Sequence, residues 1–201
     1  DTYVQLNDSI DTGATRLTYH RGTLEIMTVS RSHEGINRLI STLFENLAEG
    51  LEIEFRNIGG TTHRDEGSET GFEPDTGFYV TNLDYAFDGD RPIVIPPDPA
   101  PDLIIEVDIS RSSLNKMAAY AAVGCREGWR HHRGRLSIHA LSQEGVQQAH
   151  ESVILPGVSA DHLNLLLAKV AEMPRIKWAP FVRKWARARR PQRQIASHTA
   201  F

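Results

Sequence analysis

The segment PDLIIEVDIS, residues 101–110, constrains this chain more than any other. An extended strand sends alternate side chains to opposite faces. Leu103, Ile105, Val107 and Ile109 therefore share one side, and Asp102, Ile104, Glu106 and Asp108 share the other. A strand this apolar belongs in the middle of a sheet, covered on both faces, and a covered glutamate needs a compensating cation. Two answers are open at Glu106: a lysine or arginine pairs with it, or a metal ion sits there. The second would make the chain an enzyme.

The pattern around that strand is mixed. Residues 17–28 alternate as two strands with a turn at Arg21-Gly22. From Ser32 to Glu49, Ile36, Leu39, Ile40, Leu43, Phe44 and Leu47 recur at helical spacing, which predicts an amphipathic helix ending at Gly50. A strand is expected over 51–57, and the Gly-, Thr- and acid-rich stretch 59–71 reads as a mobile loop. A short strand over 77–80 follows Glu73-Pro74-Asp75. The five prolines between Asp84 and Pro101 mark a long loop. Beyond the central strand the pattern gives a helix over 112–123 stopped by Gly124, and a hairpin of 127–132 and 135–141 turning at Arg133-Gly134. A strand over 151–155 and a closing helix over 160–171, burying Leu163, Leu166, Leu167 and Val170, complete it. Such an order fits an α/β or α+β domain with a central mixed sheet flanked by helices.

Two carboxylates stand out, Asp75 directly before a strand and Glu106 inside one. In a mixed sheet they can converge at one edge, and two carboxylate donors plus water and a substrate phosphate are what Mg²⁺ accepts. Lys116, on the helix after the Glu106 strand, could orient an attacking water or stabilise developing negative charge. The plainer alternative stays open: Asp75 as a turn residue and Glu106 in a structural pair.

These residues also carry a resemblance. GFEPDTGFYV, PDLIIEVDISRSS and NKMAAYAAVGCREGWR, in that order, resemble the Uma-two-type restriction endonucleases of the PD-(D/E)XK nuclease superfamily. The flanking YHRGTLEIMT, SRSHE and ESVILPGVSADHLNLLL agree, so the likeness runs from about Tyr19 to Val170. It implies a restriction-endonuclease-like core holding Mg²⁺, or Mn²⁺, on Asp75 and Glu106, and cutting DNA. The superfamily lysine normally follows the second acid by two residues; Asp108 stands there, and the family pattern points instead to Lys116, four residues before Tyr120. His33 matches a histidine at the start of the family's first helix and joins the expected catalytic set, against a packing role there. Glu34 falls on the solvent side of that helix. Cutting both strands of a duplex favours a two-fold homodimer.

The domain layout expected is an extension over 1–16, a nuclease domain over 17–175 and a basic tail over 176–201. The tail sequence FVRKWARARRPQRQ reads as a solvated charge run. His131 and His132, on opposite faces of one strand, read as surface residues rather than metal ligands. Tyr120 and Trp129 read as core aromatics. The net charge of −4 argues against a chain built only to coat nucleic acid, without excluding a nuclease with local basic patches. The lone Cys125 excludes an internal disulfide and suits a cytoplasmic setting, and no apolar run is long enough to span a bilayer. A rival from another class is a nuclease fold that binds nucleic acid or a protein partner without cutting.

Overall fold

The structure is a computed structural model that describes Gln5 and residues 15–28, 30–65, 67, 69–87, 93–109 and 114–190. Among the described residues, eleven strands and four α-helices of defined extent are arranged as two mixed sheets with helices packed against them, where a single central sheet was expected. The larger sheet runs β11 (Gly145–Ala149), β10 (Arg135–Ser142), β9 (Glu127–His132), β8 (Leu103–Asp108), β6 (Thr76–Tyr79) and β3 (Arg56–Gly59). The smaller runs β2 (Thr23–Thr28), β1 (Thr15–His20), β5 (Thr70–Phe72), β4 (His63–Asp65) and β7 (Ile93–Val94).

Strand β8 is buried at all six positions, parallel to β9 and antiparallel to β6. Its alternation serves two cores. Leu103, Ile105 and Val107 join the cluster under α1 (Arg31–Leu51), where Phe44 packs on Phe78 and Trp129. Ile104 joins a second cluster with Phe72, Met117 and Tyr120, the last two from α2 (Leu114–Ala122). Ile109 lies past the strand end and is exposed, so it does not share the apolar face as expected.

Both turns expected of the hairpins have the backbone they require. Arg21-Gly22 and Arg133-Gly134 each place two successive residues at positive φ, the arrangement that matches strand twist in a two-residue hairpin. Elsewhere the structure corrects the sequence reading. The stretch 59–71 contains β4 and the first two residues of β5, polar strands that pair with each other and so are fixed by their sheet neighbours rather than by an apolar pattern. The proline-rich segment holds a 3₁₀ turn at Leu83–Phe87 and the two-residue β7. The strand over 51–57 is confined to β3, later in the chain. The strand over 151–155 reduces to a bridge between Glu151 and Ser159, and the strand there is β11, whose polar GVQQA lacks an apolar alternation. In the closing helix α3 (Ala160–Ala168), Leu163 and Leu166 are buried and Leu167 only partly so.

Within the expected tail, residues 176–190 are not simply a solvated charge run. Arg175–Arg187 forms α4, which packs on α1 and buries Trp178, Val182 and Ala186; residues 191–201 lie outside the described ones. Arg175, Lys177, Lys184 and Arg187 of that amphipathic helix are exposed, whereas Arg183 and, beyond the helix, Arg190 turn to α1 and its cap. Arg183 bonds Asn46 and lies 3.4 Å from Glu49, and Arg190 reaches Glu52 at 2.7 Å. This contact explains Gly50, which the sequence suggested as a helix stop. The helix runs on to Leu51 and is closed by Glu52 at φ 61°. A Cβ on Gly50 would stand 2.5 Å from Ala186 Cβ and 2.8 Å from the Arg183 carbonyl. Gly50→Ala should therefore destabilise by about 1–3 kcal/mol through overpacking, although alanine alone would favour the helix by about 1 kcal/mol. Urea denaturation decides the sign; a more stable variant would refute the close crossing.

Candidate active site

The antiparallel register pairs Thr76 with Ile105, and carrying it one step further sets Asp75 opposite Glu106. Asp75 directly precedes β6, and its side chain continues the ladder. Its Oδ2 accepts the Val107 backbone N–H at 2.8 Å, in place of a strand carbonyl. Helix α1 frames the same residue: Asn37 donates its amide to the Asp75 carbonyl at 3.0 Å, and Thr76 donates to Asn37 Oδ1 at 3.0 Å. The other oxygen, Asp75 Oδ1, is buried and has no hydrogen-bond partner among the described residues.

His33 reaches the site because Ser30 caps α1, accepting the His33 backbone N–H at 3.2 Å. The His33 Nε2 stands 3.0 Å from Asp75 Oδ2. Its N–H direction does not meet hydrogen-bond geometry, so the contact is mainly electrostatic. Burial pulls the imidazole pKa down, but the Asp75 carboxylate outweighs it, with Glu34 and Glu106 adding, and the net shift is upward. Glu34, 3.8 Å from His33 Nδ1, stays partly exposed.

Glu106 is 0% exposed. Its Oε2 accepts from Lys116 Nζ at 3.0 Å, and its Oε1 from the Tyr120 hydroxyl. Lys116 and Tyr120 lie four residues apart on α2, so one face of one helix delivers both donors. Burial pushes the Glu106 carboxyl up, Lys116 pulls it back, and nearby Asp75 pushes it up again, leaving it above the ordinary carboxylate range. For Lys116 burial favours loss of the proton, yet the charges of Glu106, Asp75 and Glu25 prevail and raise its pKa. The group is an ammonium at neutral pH.

All four expected residues, His33, Asp75, Glu106 and Lys116, converge. Asp108 does not belong to the set: Arg130 Nε donates to its Oδ2 at 2.7 Å, which neutralises that carboxylate. His131 and His132 pair opposite Val107 and Asp108 and are half-buried rather than on the surface, and desolvation lowers the His131 pKa. Trp129 is a core aromatic as expected, its indole donating to the buried Glu127 at 2.6 Å.

Three participants escaped the sequence reading. Tyr120 does more than pack, since its hydroxyl is spent on Glu106. Glu25 of β2 approaches Lys116 Nζ at 3.9 Å and lines a small cleft with it. Asn37 locks the Asp75 backbone; its place one helical turn after His33 was the available signal.

The fold and this arrangement can be set beside known proteins. Residues 1–171 match the Uma2 family, described as "Putative restriction endonuclease". The chain belongs to the Uma2 family. A solved structure described as a putative nuclease belonging to DUF820, from Anabaena variabilis, superposes with a TM-score of 0.55 at 14% identity. The superposition covers 82% of this chain and 98% of that one, a likeness of fold. No curated protein matches the chain. Helix α4 begins after the last residue of the Uma2 match.

Proposed function

We propose that this Uma2 protein is a Mg²⁺-dependent DNA endonuclease of the PD-(D/E)XK type, hydrolysing phosphodiester bonds at the Asp75–Glu106 pair. The observation that carries the reading is the buried, partnerless Oδ1 of Asp75 beside a second buried carboxylate. An unsatisfied buried carboxylate oxygen costs free energy unless something binds it, and a hard cation is the partner its chemistry suits. Among the described residues no group of three or more His, Cys, Asp or Glu could hold a metal. A pair of carboxylates suits Mg²⁺, which keeps several waters and completes its shell on substrate phosphates.

Asp75 and Glu106 would hold the ion, which when bound supplies Lewis-acid neutralisation of phosphate charge and a more acidic water. The protein's own residues do the positioning. Val107 N–H and His33 fix Asp75 Oδ2, leaving Oδ1 for the ion. Tyr120 and Lys116 fix the plane of the Glu106 carboxylate. Lys116, held as an ammonium, orients water and stabilises negative charge on the phosphoryl oxygens; it is not placed to act as the base. His33 offers a proton donor beside Asp75 for the departing oxygen.

The non-cutting alternative has one observation in its favour: Lys116 and Glu106 already neutralise each other. Calorimetric Mn²⁺ titration separates the two readings, run alongside plasmid cleavage with Mg²⁺ or Mn²⁺. The nuclease reading expects saturable Mn²⁺ binding that weakens at least about tenfold in Asp75→Asn, with cleavage lost. A wild-type protein that cuts no DNA, while Asp75→Asn binds the ion as well as wild type, would overturn it.

A further inference from the structure

We infer that Arg16 is a phosphate anchor: its guanidinium holds the DNA phosphodiester in the groove that opens on Asp75. This rests on the nuclease reading of Asp75 and names a residue that binds its substrate. The groove has a volume of about 510 Å³, and its lining includes Asn37 and Arg38 of α1 and Gly59-Gly60 at the end of β3. Asp75, Thr76 and Arg16 of β1 also line it.

Four observations single out Arg16. First, its side chain is seated against backbone immediately before the site. A Cβ on Gly60 would lie 2.9 Å from the Pro74 carbonyl, 3.1 Å from Arg16 Nη2 and 3.2 Å from Arg16 Cζ. Only glycine leaves room for the guanidinium beside the residue preceding Asp75. Second, Arg16 Nε is buried with no hydrogen-bond partner. Third, no carboxylate among the described residues pairs with Arg16, whereas Arg126, Arg130, Arg135, Arg183 and Arg190 each have one. Fourth, of the three carboxylates lining the groove, Glu34, Glu45 and Asp75, Asp75 commits one oxygen to Val107 and His33 and leaves the other, buried one open.

A cation and a carboxylate that share a groove without pairing leave an anion's place between them. A phosphodiester fits both sides: its non-bridging oxygens accept from the planar guanidinium fork, while the ion held by the carboxylates neutralises the opposite edge. Arg38, exposed on the groove wall, adds positive charge where a flanking phosphate would run.

The test measures binding apart from chemistry. Wild type, Arg16→Gln and Arg16→Lys are titrated into a fluorescent DNA duplex in Ca²⁺ at several salt concentrations, with thermal midpoints recorded to confirm folding. Loss of a charge-assisted contact should weaken binding by about tenfold to a hundredfold in Arg16→Gln. It should also flatten the dependence of log K on log salt by about one. Arg16→Lys keeps the charge and hence the salt slope, but recovers only part of the affinity because a point charge cannot grip two oxygens. Mn²⁺ uptake by Arg16→Gln should match wild type, which keeps this result independent of the metal site. A folded Arg16→Gln with wild-type affinity and salt slope overturns the assignment, as does a wild-type protein that binds no duplex. If Arg16 controls binding but Mn²⁺ does not bind, the anchor stands and the metal-dependent reading falls.

Discussion

Replacing Lys116 with methionine should destabilise the protein by about 3–5 kcal/mol, the range for breaking a buried ion pair from one side. Lys116 is 1% exposed and Glu106 fully buried, so water cannot replace the missing ammonium. Tyr120 alone would be left to hold the carboxylate. Glu106 has a second way to adapt, which is to take up a proton. Its carboxyl is already raised by burial, and loss of Lys116 removes the strongest influence holding it down. The cost should thus be smaller in mild acid and grow as pH rises, because a protonated Glu106 needs no cation. A further expectation comes from the metal site. Mn²⁺ can replace the lost positive charge, so it should raise the thermal midpoint of Lys116→Met more than that of wild type. Urea denaturation of wild type, Lys116→Met and the Lys116→Met/Glu106→Gln double variant checks the account. The double variant should recover most of the loss. A single variant as stable as wild type would show that the pair contributes nothing to the fold.

That ambivalence of Glu106, structural pair or metal ligand, was legible before any coordinates. A glutamate in the run Leu103 to Val107 conflicts with the burial its neighbours require, and the structure answers with both Lys116 and a second carboxylate. The sequence could not show how Asp75 is held, since the bond to the Val107 N–H depends on the register between β6 and β8. Likewise, the cation over Gly60 comes from Arg16, which the sequence reading placed in an extension outside the domain. Charge runs carry little information about packing. The arginines after Phe181 read as a solvated tail because their density hides Trp178, Val182 and Ala186, spaced four apart on one helical face. Polar strands are hidden for the opposite reason: β4, β5 and β11 lack the apolar alternation that marks a strand, and their neighbours in the sheet decide them.

His63 belongs to one of those hidden strands, and it gives the protein an acid limit. It is 0% exposed, stacked on Phe72 with ring centroids 4.9 Å apart and planes within 5°. Burial lowers its pKa from 6.5 to about 4, against smaller opposing influences from the Thr61 backbone and Asp98. The folded protein therefore keeps this imidazole neutral through a range where the unfolded chain protonates it. Between pH 6.5 and about 4 the unfolded state binds the extra proton, so stability is full above the unfolded pKa and falls as the pH drops through that window. A shift of this size corresponds to about 3 kcal/mol. His33 works in the reverse sense: its raised pKa contributes stability below the unfolded value that is lost as the pH rises through the folded one. A single wild-type profile would mix the two. Denaturation of wild type and His63→Leu at pH 7, 5.5 and 4.5 isolates the His63 part, because His33 is common to both proteins. The variant loses hydrogen-bonding capacity that the native site does not use, so it should fold. Wild type should lose about 2 kcal/mol relative to the variant between pH 7 and 4.5, the rest of the shift being expressed only below the folded pKa. Parallel pH profiles would mean that His63 takes up its proton in place, which its stacking against Phe72 in a dry interior opposes.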